Sequence, residues 1–287
     1  MRHTHATSDL LFKAALIADS YSLGLHWIYD TDLLDREPQE PDRLHPPLSH
    51  WHGTKQAGEL THYGDQLVHL QDYCRNHQRI QQSHYQHDWA RWMSHYQGYI
   101  DKATASTLKR LEQGLAPAGS CSTELAVVSR IIGPLPLSNS RDEYLTQIDA
   151  LVAATHNAEP TLMTARFFAT VLLELLEGRP LLSTLEQNLS LLQPADAERA
   201  QQGLASATEE TPLALRHFGI ACEIHHALPG VLHLLAKYDQ LVPLLQQNAR
   251  AGGDSSARGM IAAILLTASK PDKLKQVPHT LYPAVLR

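Results

Sequence analysis

The run Ala251-Gly252-Gly253-Asp254-Ser255-Ser256-Ala257-Arg258-Gly259 constrains the fold more than any other stretch. Before it, Leu241, Leu244, Leu245 and Asn248 keep helical spacing; after it, Met260 to Ala268 is almost wholly apolar. Two adjacent glycines supply the permissive backbone that ends one helix and begins the next. Asp254 and Ser255 then stand at an N-cap, beside the free N–H groups of a helix with no polar face to show solvent. A helix apolar on all sides must lie inside a layer of other helices. Asp254 therefore either caps a central helix or, held ionised at its positive end, offers a carboxylate to a hard cation or polar ligand.

The rest of the chain reads as helices that could form that layer. Leu10 to Leu25 is a buried helix interrupted by Asp19 and Ser20, which need partners if enclosed. From 31 to 58 Pro38, Pro41, Pro46 and Pro47 mark a long loop containing several His and no helical period. Thr61-His62-Tyr63-Gly64-Asp65-Gln66 opens a helix through Leu67, Val68 and Leu70. Between Tyr85 and Tyr99, Trp89, Trp92, Tyr96 and Tyr99 recur at helical spacing, a stripe that serves as core or as a cleft wall. Further helices are expected over 101–113, from Ser120 to Ser122 onward to Gly133-Pro134, from Tyr144 to Val152, and from Pro160 to Gly178. Others follow over 181–192, 195–205, 213–227 and 229–237. No alternating strand pattern, fixed-period repeat or linker occurs. The chain is expected to be all-α and one domain over 1–287.

The function classes narrow on charge and cysteine. With 24 Lys and Arg against 30 Asp and Glu the formal charge is −6, which argues against nucleic acid or a membrane surface as partner. Cys74, Cys121 and Cys222 are scattered and read as free thiols of a reducing compartment. The polar start Met1-Arg2-His3-Thr4-His5 lacks a signal-peptide apolar core, and no apolar run is long enough for a bilayer; the expected location is cytoplasmic. The 18 His residues are unusual, many of them between His45 and His95, yet none falls into a zinc-ligand spacing. There is no P-loop and no nucleophile elbow.

Asp65 and Asp254 each follow a Gly at a helix start, nearly a chain length apart, and are the candidate catalytic pair. At this point the sequence resembles the ADP-ribosylglycohydrolase superfamily, all-α dinuclear-metal hydrolases that remove ADP-ribose from proteins and small acceptors. The family's Gly-Gly-Asp-Thr-Asp-Thr is similar to Gly252 through Ala257, and its Thr-Asp-Asp-Thr to Gly64 through Leu67. Its Thr-His-x-x-Pro resembles Thr155-His156 with Pro160 displaced by one, and its middle motif resembles Ser122 through Arg130 with Gly133-Pro134. The resemblance implies metal ligands at Asp65, Gln66, Asp254 and Ser256, and substrate contacts at Ser120, Ser122, Thr155 and His156. It also implies a small-molecule or ADP-ribosylated substrate.

The departures are chemical. Of the family's acidic ligands only Asp65 and Asp254 remain as carboxylates; Gly64, Gln66, Ser256 and Ala257 fill the other positions. A two-metal site needs anionic oxygen to offset its charge and bridge the ions. Two Asp with neutral Gln and Ser oxygens would hold one weakly bound Mg²⁺, or none. The altered pattern, with Gly24-Leu25-His26-Trp27-Ile28-Tyr29-Asp30, is similar to a side branch that includes the jellyfish crystallins. His26, Trp27 and Tyr29 would form a stacking wall for an aromatic base or be satisfied core residues, and His156 would contact substrate or hold its turn. Two functions follow: hydrolysis of an N- or O-glycosidic bond in an ADP-ribose-like or nucleoside-type substrate, or a non-catalytic binding or structural role on the same fold.

Overall fold

The computed structural model describes residues 3–37 and 40–287; Met1 and Arg2 of the polar start and Pro38 of the proline-marked loop lie outside the described residues. In chain order the helices are α1 (His5–Ser22), α2 (Thr31–Arg36), α3 (His62–Asn76), α4 (Gln82–Met93), α5 (Lys102–Glu112), α6 (Arg141–Ala153) and α7 (Glu159–Leu176). They continue as α8 (Leu181–Asn188), α9 (Pro194–Ala205), α10 (Thr211–Phe218), α11 (Ile224–Lys237), α12 (Leu241–Ala251), α13 (Ser255–Ser269) and α14 (Asp272–Lys275). Among the described residues there is no sheet, only isolated bridges pairing Ser120 with His156 and Glu124 with Glu223. The all-α expectation holds. No helix among them is long and apolar enough to cross a membrane.

Helix α13 is the centre. Every residue from Ser255 to Thr267 is buried, and α1 makes the most extensive contact with it, joined by α7, α11, α12 and a 3-10 segment, Ala126–Ile132. Its entry is shaped by the paired glycines, at φ +76° for Gly252 and +58° for Gly253. A Cβ on Gly253 would lie 2.0 Å from the Ile220 carbonyl oxygen, and one on Gly252 2.6 Å from that of Ile28. Only glycine satisfies both the left-handed backbone and this approach. Inside the turn, Arg258 is fully buried and donates to Asn248 Oδ1 (3.1 Å) and the Gly252 carbonyl (2.6 Å). Asn248 and Ser22 in turn donate to the Ser255 carbonyl, tying α12 and α1 to the start of α13.

Several local expectations are corrected. The 31–58 loop contains α2, capped by Asp30, and a 3-10 turn at His50–His52. Residues 120–125 are not the start of a helix: their backbone bonds to Thr155, Asn157, Cys222 and Ile224 run through the two bridges. The break expected at Pro229 is displaced to 219–223, where Gly219 has φ +98°. Pro229 sits inside α11. It survives there because the carbonyl it leaves without a helical donor, that of His225, accepts from Arg199 Nε (3.2 Å). Helix α4 ends at Met93, so Tyr96 and Tyr99 lie beyond it while Trp89 is in the core.

Candidate functional site

The ends of α1, α3 and α13 meet at Asp19. Its carboxylate accepts from the Thr61 backbone N–H (2.8 Å), from Thr61 Oγ1 (2.6 Å) and from the Ser256 hydroxyl. These are the partners a buried acid inside a helix required. Burial pushes its pKa up to about 6 against the pull of those hydrogen bonds. Gly64 lies against the same carboxylate; a Cβ there would be 2.2 Å from Asp19 Oδ2.

One residue along α3, Asp65 faces outward. Its Oδ2 accepts from Lys55 Nζ (2.7 Å) and from the Tyr96 hydroxyl (2.6 Å). The group lines a cleft of about 650 Å³ together with Leu60, Val68, His69, Trp92 and Tyr96. That volume suits a small organic ligand. Trp92 stacks on His69 at 4.7 Å and meets the Tyr96 ring at 5.0 Å, giving the cleft an aromatic wall. Lys55 and Asp65 keep 17% and 21% of their side chains exposed, enough to be reached from solvent.

Asp254 is in the interior and does not line that cleft. It occupies the N-cap position of α13 with φ −78° and ψ 57°, but its side chain makes no capping hydrogen bond. Neither carboxylate oxygen makes a well-formed hydrogen bond among the described residues. Burial pushes its pKa up to about 7; Arg258 is the main group holding it down, and the Ala257 backbone N–H is near enough to help. The His26 ring lies beside it, Nδ1 to Oδ1 3.7 Å.

His26 belongs to a cluster that spacing rules did not show. With His52 and His62 it forms a buried group able to hold a metal ion, one ring nitrogen from each lying within 4.8 Å of the other two. Burial lowers all three pKa values, His52 and His62 to about 3, so the imidazoles are neutral. Trp27 stacks on His26 at 4.8 Å and has φ +61°, a strained conformation for a large side chain. It is clamped by Trp27 N–H to the Gly253 carbonyl and Gly253 N–H to the Ile28 carbonyl, both 2.8 Å. Trp51 and Tyr99 close over Trp27, and Tyr29 is half exposed.

The third constellation is a buried hydrogen-bond chain. Glu124 Oε1 lies 3.0 Å from His156 Nε2, and His156 Nδ1 2.9 Å from Thr155 Oγ1. Thr155 Oγ1 accepts from Arg130 Nη1 (2.9 Å), and Arg130 Nη2 donates to Gln66 Oε1 (2.7 Å), which also accepts from Trp89 Nε1. Thr155 Oγ1 has lone pairs for both Arg130 Nη1 and His156 Nδ1–H. The ring proton on Nδ1 leaves His156 Nε2 as the acceptor for the Glu124 carboxyl. Burial raises Glu124 and lowers His156, so one proton rests between them. Ser120 Oγ accepts from Ser122 N–H and Ser122 Oγ from Glu124 N–H, bracing the same segment.

The named residues thus fall into distinct places. Asp65 is at the cleft; Ser120, Ser122, Thr155 and His156 form one knot with Glu124; His26, Trp27 and Tyr29 lie by Asp254. Asp19, His52, His62, Lys55 and Glu124 went unnamed as site residues. Asp19 carried a signal, as a buried acid in need of partners. A dinuclear Mg²⁺ centre does not fit the donors present. Lys55 already offsets the charge of Asp65, the Gln66 oxygen is taken by Trp89 and Arg130, and the Ser256 hydroxyl donates to Asp19. That leaves Asp254, neither of whose oxygens makes a well-formed hydrogen bond, and Oδ1 of Asp65 as the anionic oxygens of the four still open.

These features place the chain among known proteins. Residues 13–271 match the family model described as ADP-ribosylglycohydrolase, so the chain belongs to the ADP-ribosylglycohydrolase family. A solved structure titled "ADP-ribosylglycohydrolase-related protein complex" has the same fold, with TM-score 0.73 over 96% of this chain and 98% of that one at 17% identity. No match is found among curated proteins.

Proposed function

We propose that the protein hydrolyses a glycosidic bond in a nucleoside-type or ADP-ribose-like substrate held in the Asp65 cleft. Trp92 and Tyr96 would stack on the base, the Lys55 ammonium would meet phosphate, and Asp65 would orient and deprotonate the attacking water. The observation that carries this reading is the way Asp65 is held. Lys55 and Tyr96 both bind Oδ2, fixing the carboxylate while Oδ1 keeps its lone pairs for a water. Asp254, enclosed beside His26, is assigned a supporting role at the start of α13 rather than contact with substrate.

One observation favours the non-catalytic reading, consistent with resemblance to the branch that includes the jellyfish crystallins: the one exposed candidate carboxylate is already neutralised by Lys55 at 2.7 Å. The two readings separate on turnover. Incubating the protein with nucleosides and ADP-ribosyl compounds and following base or ADP-ribose release by chromatography should show hydrolysis. Asp65→Asn should lower it by about 100-fold or more, the usual cost of losing a general base. ADP-ribose binding by calorimetry without turnover would establish the binding protein instead, and neither binding nor turnover would remove the assignment.

A further inference from the structure

His26 lies just past α1, His52 ends the 3-10 turn in the 31–58 segment, and His62 opens α3. Three stretches far apart in sequence thus bring three imidazoles to one point, each with no more than 2% of its surface exposed. Their ring centroids are 5.3 Å apart for His26 and His52, 5.4 Å for His52 and His62, and 6.4 Å for His26 and His62. Imidazoles bound at 2.0–2.1 Å to one tetrahedral ion hold their centroids about 5 Å apart and their ligating nitrogens about 3.3 Å apart. His52 Nε2 and His62 Nδ1 are 3.2 Å apart and share a hydrogen bond, whose proton a bound ion would replace. Three ring nitrogens of the cluster are buried with no hydrogen-bond partner: His26 Nε2, His52 Nδ1 and His62 Nε2. The remaining nitrogen of His62, Nε2, faces Asp101 Oδ2 at 3.4 Å, and His26 Nδ1 faces Asp254 Oδ1 at 3.7 Å. A carboxylate behind the outer ring nitrogen is how metal-bound histidines are oriented.

We propose that His26, His52 and His62 bind one divalent ion of the zinc class, through His26 Nε2, His52 Nε2 and His62 Nδ1, with a fourth position left to water. Neutral nitrogen donors select Zn²⁺, Co²⁺ or Cu²⁺ over Mg²⁺, so this is a different site from the oxygen-ligated centre the resemblance implied. Asp101 and Asp254 are positioning residues for the outer nitrogens. His26 Nδ1 accepts from the Ser256 backbone N–H (3.4 Å); an ion on His26 Nε2 would move the ring proton to Nδ1 and turn that nitrogen from Ser256 toward Asp254 Oδ1, 3.7 Å away. Trp27, Trp51 and Tyr99 form the apolar cover.

The test uses untagged full-length protein stripped with a chelator and titrated with Co²⁺, whose tetrahedral complexes absorb strongly in the visible. One equivalent should bind with a tetrahedral band, Zn²⁺ should displace it stoichiometrically, and millimolar Mg²⁺ should not. His52→Gln keeps a hydrogen-bonding side chain, and its folding is checked by circular dichroism. It should lose the band or weaken cobalt affinity at least tenfold. His87→Ala and His95→Ala, which remove exposed imidazoles, should change neither. Asp101→Asn should keep the band but weaken affinity by about 10-fold or more, as loss of an outer-nitrogen partner does. Cobalt bound without a tetrahedral band, a band unchanged in folded His52→Gln, or no stoichiometric binding would each overturn the proposal. The readout is the ion, so it stands or falls independently of turnover at Asp65.

Discussion

At Gly64 a single missing methyl group is what the site is built around. Glycine inside a helix ordinarily costs stability relative to alanine, so Gly64→Ala on propensity alone would stabilise α3 by up to about 1 kcal/mol. The new Cβ would instead lie 2.2 Å from Asp19 Oδ2 and 2.7 Å from its Cγ. Asp19 cannot swing aside, because Thr61 and Ser256 hold both oxygens inside the core. Gly64→Ala is therefore expected to destabilise by about 1–3 kcal/mol, the usual cost of overpacking. In an Asp19→Ser background, where the carboxylate is gone, the same change should become neutral or stabilising. Chemical denaturation of the four proteins measures the coupling, and equal effects in both backgrounds would show that Asp19 is not the constraint. The sequence showed a glycine where the resemblance implied a hydroxyl ligand. The structure shows what takes that space: the carboxylate of Asp19 on α1.

Helices α9 and α11 pack closely, and Arg199 holds the point where α11 is weakest. It donates to the His225 carbonyl (3.2 Å), to the Phe218 carbonyl (2.6 Å) and to Gln202 Oε1 (3.1 Å). It thereby joins α9, the end of α10 and the proline-containing first turns of α11. Arg199→Ala should cost about 1–3 kcal/mol, since charge-assisted bonds to carbonyls are lost. Part of that cost should disappear in a Pro229→Ala background, where the new N–H can serve the His225 carbonyl itself. Thermal unfolding of the double-mutant cycle checks it; strict additivity would mean that the Arg199–His225 bond contributes nothing. This region also shows what a linear reading misses. Periodicity located α1, α3, α6, α7, α12 and α13, because each buries a stripe or its whole surface. It misplaced the α10–α11 boundary, because a proline whose orphaned carbonyl is satisfied 26 residues away breaks no helix. The site follows the same division. Gly-Asp helix starts pointed to Asp65 and Asp254, but the Glu124–His156 bond and the three-histidine cluster join segments with no fixed spacing: the first is made by the Ser120–His156 bridge and the second by the meeting of the α1 end, the His50–His52 turn and the α3 start.

Over the whole molecule, 18 histidines face a net charge of −6 at neutral pH, and stability toward acid depends on those that fold as neutral rings. His233 gives the clearest case. Ser206 Oγ donates to the Gly203 carbonyl, so it accepts from His233 Nδ1–H (2.7 Å), and Thr211 Oγ1 meets Nε2 at 2.9 Å. If Thr211 donates to Nε2, the Tyr238 hydroxyl, 2.6 Å away, donates to Thr211, and the chain closes on a neutral imidazole. Burial, with the Lys237 charge nearby, lowers the His233 pKa from 6.5 to about 4. The unfolded chain then takes up a proton below pH 6.5 that the folded protein refuses until about pH 4. Stability falls as pH drops through that window, at about 1.4 kcal/mol per pH unit for this one group and on the order of 3 kcal/mol in all. His26, His52 and His62, also neutral in the interior, act in the same direction. The Glu124–His156 pair does not: between about pH 4.5 and 6.5 it carries one proton folded and one unfolded, so it adds no slope there. Asp19 and Asp254 act in the opposite sense, because burial raises them to about 6 and about 7 and the folded protein takes up their protons first. The four neutral histidines outnumber these two acids, so urea unfolding at intervals from pH 7 to 4 should show a net acid limb. In His233→Gln, which keeps a donor and an acceptor but cannot titrate, the limb should lose about one proton's worth of slope. A variant limb parallel to that of the wild type would mean that His233 takes its proton inside the folded protein.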